Sequence, residues 1–112
     1  MQNFCVFCKI IDRQLPAKVI KETDDIMVID NIAPKTPIHY LVIPKKHIKD
    51  INSLENEDAL LVGKSVLMMK QLSAELPGSQ DFRLVVNNGL DAGQSVFHLH
   101  FHFLAGQKFF DH

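Results

Sequence analysis

His98, His100 and His102 stand at alternate positions near the end of the sequence, separated by Leu99 and Phe101 and flanked by Phe97 and Phe103. Side chains of a β-strand alternate between faces, so a strand over residues 96–104 sends four large apolar groups one way and three imidazoles the other. Imidazoles two residues apart sit roughly 7 Å from each other along a strand, close enough for one substrate group to touch more than one ring. Three readings fit the triplet. It is the polar face of a half-buried strand, or a metal site built from neutral imidazoles. Or it is a nucleophile with acid–base partners acting on phosphate, because an imidazole with an ordinary pKa of about 6.5 is a competent nucleophile near neutrality.

The segment leading into the triplet favours phosphate chemistry. Residues 87–96, from Asn87 through Gly89, Gly93, Gln94 and Ser95 to Val96, carry two glycines in a short connection. Glycine lets backbone N–H groups approach an anion closely. Ser95 and Asn87 add neutral donors, and amides and hydroxyls beside a histidine nucleophile make a coherent phosphate cradle.

The elements that must position these groups follow from pattern. Residues 4–13 read as a short first helix with Asn3 as its N-cap. Residues 18–22 and 26–30, rich in Ile and Val, flank the turn-forming Thr23, Asp24 and Asp25 and read as a hairpin. Residues 38–43 form a third strand that Pro44 stops. Over residues 54–76 the period becomes helical, with Val62, Val66, Met69 and Leu76 on one stripe and Leu61, Met68 and Leu72 beside it. Pro77 and Gly78 end that helix. A fourth strand covers residues 82–87, with Phe82, Leu84 and Val86 on one face, and a fifth covers 96–104. Short links between strands favour a mainly antiparallel five-stranded sheet with the helices packed against one face, an α+β fold.

Bulk properties narrow the function. The 112 residues make one domain, residues 1–112, and 46% hydrophobic content is ordinary for a globular core. Lys and Arg total 12 against 13 Asp and Glu, so no basic surface awaits a duplex nucleic acid, whereas a single nucleotide needs only a few directed donors. No apolar run approaches the roughly 20 residues of a membrane span. Met1 to Cys5 do not open a secretion signal, so a cytoplasmic location is expected. In that reducing setting Cys5 and Cys8 are expected to be thiols or metal ligands rather than a disulfide. Three residues apart on a helical turn, they are close enough to share a metal.

The run from Gly93 to Leu104 resembles the signature of the histidine triad family, three histidines alternating with apolar residues. The match extends to Ile38–His47, with its Pro44, Lys45, Lys46 and His47, and to Phe7–Ile11 through Leu15–Lys18, segments that resemble the Hint branch of nucleoside phosphoramidases. The resemblance implies that His100 attacks a nucleotide α-phosphate and is transiently nucleotidylated. His98 and His102 then orient it and contact phosphate oxygens, supported by His39. Asn87, Gly93, Gln94, Ser95 and Val96 match the positions that contact phosphate and leaving group, with Ser95 in a general-acid-like role. An apolar base pocket would draw on Val6, Phe7, Ile10, Leu15, Ile29 and Ile32. Asn31 falls at the ribose, where Hint proteins often carry aspartate, and Asp30 beside it is a further nucleotide-binding position. Some bacterial members bind a structural zinc at positions matching Cys5, Cys8, His47 and His98; the chemistry itself needs no cofactor. A homodimer is implied, with the sheet extended across it and the long helix at the interface; Leu60 and Leu67 lie off that helix's main stripe. The expected activity is hydrolysis of purine nucleoside phosphoramidates or related AMP conjugates. The alternatives are a dinucleoside polyphosphate hydrolase, as in the related Fhit branch, a nucleotide-binding scaffold, or a metal-dependent hydrolase using His98, His100 and His102 as ligands.

Overall fold

The computed structural model describes residues 4–110. Helix α1 spans Val6–Ile11, and strands β1 (Val19–Glu22), β2 (Ile26–Asp30) and β3 (Ile38–Pro44) follow. Two short 3₁₀ turns lead into α2 (Ala59–Ala74), and β4 (Phe82–Val85) and β5 (Phe101–Ala105) complete the sheet. Every pairing is antiparallel, in the order β1-β2-β3-β5-β4. This is the expected five-stranded α+β architecture.

Local chemistry sets the boundaries. The β1–β2 turn closes on Thr23, whose hydroxyl accepts from the Asp25 and Ile26 amides at 3.3 and 3.0 Å. Helix α1 is shorter than the 4–13 expectation and is capped by Cys5, whose Sγ accepts from the Cys8 amide at 3.3 Å; the expected cap Asn3 lies outside the described residues. Helix α2 begins later than residue 54 because residues 55–58 form a capping box. There Asp58 accepts from the Glu55 amide at 2.9 Å and from Lys46 Nζ at 2.6 Å.

The helices cover opposite faces of the sheet rather than one. Ile26, Val28, Val42, Phe101 and Phe103 pack with Met68, Met69 and Leu72 of α2. Met27, Ile29, Leu41 and Ile43 pack with Phe7, Cys8 and Ile10 of α1. β2 and β3 are thus buried on both sides, the continuous apolar pattern of a strand sandwiched between two layers. The α2 stripe is also rotated from the expected one. Ser65 is fully buried, with its hydroxyl on the Leu61 carbonyl at 2.9 Å, while Val66 is exposed.

Candidate active site

β5 begins at Phe101, not at residue 96. Upstream, the Leu99 amide donates to the Ile48 carbonyl at 2.6 Å rather than to a ladder partner. The strict alternation therefore fails there: His98 is wholly buried and Phe97 is partly exposed. Only His102 of the triplet stands within a strand, on the face shared with His39 and Leu41 of β3 and with α1.

Hydrogen bonds fix the rings, and because a carbonyl only accepts and a backbone amide only donates, they also fix the tautomers. His100 Nδ1 donates to the His98 carbonyl at 2.7 Å, which leaves His100 Nε2 carrying the lone pair. The Lys35 amide donates to His39 Nδ1 at 3.1 Å. His39 Nε2 must then hold the proton, which it donates to His102 Nδ1 at 2.8 Å. His102 consequently offers an N–H at Nε2. The rings of His100 and His102 lie 5.3 Å apart between centroids, so a lone pair and a donor stand side by side. Phe7 of α1 packs edge-on against His100 at 4.9 Å, holding that ring from the other side.

Electrostatics keep the rings neutral. Burial pushes His98 and His102 down to about 4, and the neighbouring His100 and His39 rings push His102 in the same direction. Burial also lowers His100, and it lowers His39 with help from the charge of Lys35. At neutral pH an imidazole nucleophile is unprotonated without needing a base to activate it.

His98 departs from the role its position in the triplet implied. Its Nε2 donates to the Pro44 carbonyl at 2.7 Å. Its Nδ1 lies 3.2 Å from Cys5 Sγ, 3.6 Å from Cys8 Sγ and 3.2 Å from His47 Nδ1. Neither nitrogen is left for a phosphate oxygen; what His98 gives His100 is its backbone carbonyl. The three triplet rings therefore do not converge as one ligand set.

Cys5, Cys8, His47 and His98 do converge: one ligand atom from each lies within 4.8 Å of all the others, and Cys8 Sγ is 3.3 Å from His47 Nδ1. A single lone pair on His98 Nδ1 cannot hydrogen-bond three neighbours at once, whereas a cation at the centre satisfies all four. Tetrahedral Zn–S and Zn–N bonds imply ligand-to-ligand distances of about 3.3–3.8 Å, close to those observed. The His98–Pro44 bond is the outer contact that orients a metal-binding imidazole. This set fits zinc.

The remaining expected residues divide. The positive φ at Gly89 (95°) and Gly93 (91°) brackets the turn over Leu90–Ala92, a shape that side chains with a Cβ rarely adopt. Ser95 is exposed in an open groove, and Val96 packs on the α1 core. Asn87 and Asp30 are half-buried. Asn31 accepts from the Ala33 amide at 3.1 Å, and its amide nitrogen lies 3.1 and 3.4 Å from the two ring nitrogens of His39. Gln94, expected at phosphate, is buried and spent on the backbone instead. It takes the Gly89 amide at 2.8 Å and donates to the Lys49 and Val96 carbonyls at 2.9 and 3.1 Å. The expected base-pocket residues do not share one cleft: Ile10 and Leu15 line one, Val6 another, Ile29 is core and Ile32 is fully exposed. The Lys35 amide, the Pro44 carbonyl and the Ile48 carbonyl carry the orientation of the site. They are main-chain groups, and no residue type signals them.

Comparison with known proteins agrees with this geometry. A family model described as scavenger mRNA decapping enzyme C-term binding matches residues 4–109. An uncharacterized HIT-like protein of Synechocystis is 41% identical over 109 residues, spanning 97% of this chain and 96% of that protein. Among solved structures, a HIT family hydrolase from Clostridium thermocellum superposes with a TM-score of 0.94 at 34% identity, over 100% of this chain and 98% of that one. A Zn-bound histidine triad family protein from Mycobacterium smegmatis gives a TM-score of 0.79 at 30% identity, over 93% and 76%. With its triplet, its sheet and these relatives, the chain belongs to the histidine triad (HIT) family.

Proposed function

We propose that this HIT protein hydrolyses purine nucleoside 5′-phosphoramidates, or related AMP conjugates, through a nucleotidyl intermediate on His100. The observation that carries the reading is the 2.7 Å bond from His100 Nδ1 to the His98 carbonyl. It leaves Nε2 unprotonated and stabilises the positive ring that forms when that nitrogen bonds to phosphorus. Attack by Nε2 breaks the P–N bond, and the amine leaves with a proton donated by the Ser95 hydroxyl, the residue at the family's leaving-group position. His102 Nε2–H donates to a phosphoryl oxygen as charge develops. Water then cleaves the N–P bond to His100 and releases the nucleoside monophosphate. The Gly93 turn, Asn87 and Ser95 would cradle the phosphate, and Asn31, with Asp30 beside it, would meet the ribose.

Zinc held by Cys5, Cys8, His47 and His98 is a structural staple in this reading. All four ligands come from protein, leaving no open position for substrate. The set ties α1 to the loop after β3 and to the triplet. A homodimer is part of the same proposal, resting on the exposed Leu60 and Leu67 of α2 and the exposed Phe82 and Leu84 of the edge strand β4.

Turnover of adenosine 5′-phosphoramidate tests the reading. Wild type should release adenosine monophosphate, His100→Ala should not, and chelation should leave turnover within about ten-fold of the untreated protein. Nucleotide binding without turnover by wild type would overturn it.

A further inference from the structure

The groove that exposes Ser95 also opens onto the cysteine–histidine cluster, with Cys5 and His47 in its wall. Cys8 and His98 lie behind them, 3% and 0% exposed. Cys5 is itself 8% exposed, and of the two cysteines it alone lines the groove that a small solute would enter. Cys5 is the N-cap of α1, and the Cys8 amide already points at its sulfur from 3.3 Å. Residues three apart on a helical turn have Cα atoms roughly 5 Å apart, inside the range a disulfide spans without backbone movement. The two sulfurs lie within 4.8 Å of each other.

We propose that Cys5 and Cys8 form an oxidative modification site, at which a hydroperoxide converts the two zinc-bound thiolates into a disulfide and expels the metal. The proposal rests on the zinc reading above. The Cys5 thiolate attacks the outer peroxide oxygen, breaking the O–O bond; the protonated leaving oxygen departs as water or alcohol, and Cys5 becomes a sulfenic acid. The Cys8 thiolate then attacks that sulfur and displaces hydroxide, which a proton converts to water. Each sulfur loses one electron and the peroxide gains two. Zn²⁺ is left with two imidazoles in place of four ligands, and it dissociates.

The cluster touches the nucleophile in two ways. His98 is both a member of the set and, through its carbonyl, the residue that orients His100. Phe7, between the two cysteines in sequence, packs edge-on against His98 at 5.9 Å and His100 at 4.9 Å. Oxidation thus removes a staple from the side of the site that holds the attacking ring, and a dithiol reductant with zinc restores it.

The test treats reduced, zinc-loaded protein with hydrogen peroxide while a chromogenic chelator reports free zinc and a thiol reagent counts cysteines. One zinc should appear for every two thiols lost, peptide mapping should find Cys5 joined to Cys8, and dithiothreitol with zinc should reverse both changes. The Cys8→His variant keeps four ligand positions but only one thiol, and should hold its zinc about ten-fold longer under the same exposure. Zinc retained while the thiols stay reduced, or thiols over-oxidised singly with no Cys5–Cys8 link, would overturn the proposal. Wild-type stoichiometry decides this even if the variant does not fold. Failure of the zinc reading itself gives a different result: reduced protein that takes up no zinc before any oxidant is added.

Discussion

His39 Nε2 lies 2.8 Å from His102 Nδ1, joining β3 to β5 across the sheet face that carries the site. Because the Lys35 amide occupies the other nitrogen of His39, the proton can sit only between the two rings, and His102 is left as a donor. His102→Ala should lower kcat by about 10²–10³-fold, as loss of an oxyanion donor does. His39→Ala removes the tautomer lock, leaves the Lys35 amide and the part-buried His102 Nδ1 without their partner, and should destabilise the fold by about 1 kcal/mol. Steady-state kinetics with thermal melts separates the two effects; equal, small losses of kcat in both variants would contradict the assignment.

The depressed pKa of His102, about 4, has a consequence for stability against pH. Unfolded, the ring takes a proton as pH falls through about 6.5, whereas folded it stays neutral to about 4. The unfolded state therefore binds more protons in that window. This contribution is complete above about 6.5 and is lost as pH falls toward 4. Denaturant melts at pH 7 and pH 5 should show wild type losing more stability than His102→Asn, which has no proton to gain; a parallel loss in both would count against the shift.

Chelation bears on the staple. Removing a metal bound by four protein ligands withdraws binding energy from the folded state alone. In a chain of this size, a loss of about 2 kcal/mol moves Tm by roughly 5–15 °C. Tm should fall on chelation in wild type and stay unchanged in Cys5→Ser/Cys8→Ser; an unchanged wild-type Tm would remove the zinc.

The dimer is tested on α2. Leu60 and Leu67 are 70% and 62% exposed in the single protomer, so charge there costs little unless a partner covers it. Light scattering should give twice the chain mass for wild type and the single-chain mass for Leu67→Glu. A monomeric wild type would refute the dimer.

Much of this was legible in the residues. β2 has the limits its pattern predicts, and β1 and β3 match theirs to within one residue, because the Ile and Val runs end at turn formers and Pro44. The triplet and the cysteine pair stand out in the sequence as candidates for chemistry by residue type and spacing, and His39 joins them only through the family resemblance. What failed did so for physical reasons. Strand alternation predicts that His98 shares a face with His100 and His102, but a ring pulled inward by the Pro44 carbonyl and the thiols breaks the period. α2 is apolar on several sides, so its buried stripe cannot be chosen from pattern, and the polar Ser65 is buried in it with its hydroxyl on the Leu61 carbonyl. Gln94 looked like a ligand for phosphate, yet its amide closes the loop that the glycines open.

The most direct measurement is intact-protein mass after an alkaline quench of adenosine 5′-phosphoramidate turnover, with peptide mapping of any adduct. A covalent nucleoside monophosphate on His100 in wild type, absent in His100→Ala together with turnover, is the expected result. Turnover that survives His100→Ala, or an adduct on any other residue, would contradict a nucleophilic His100.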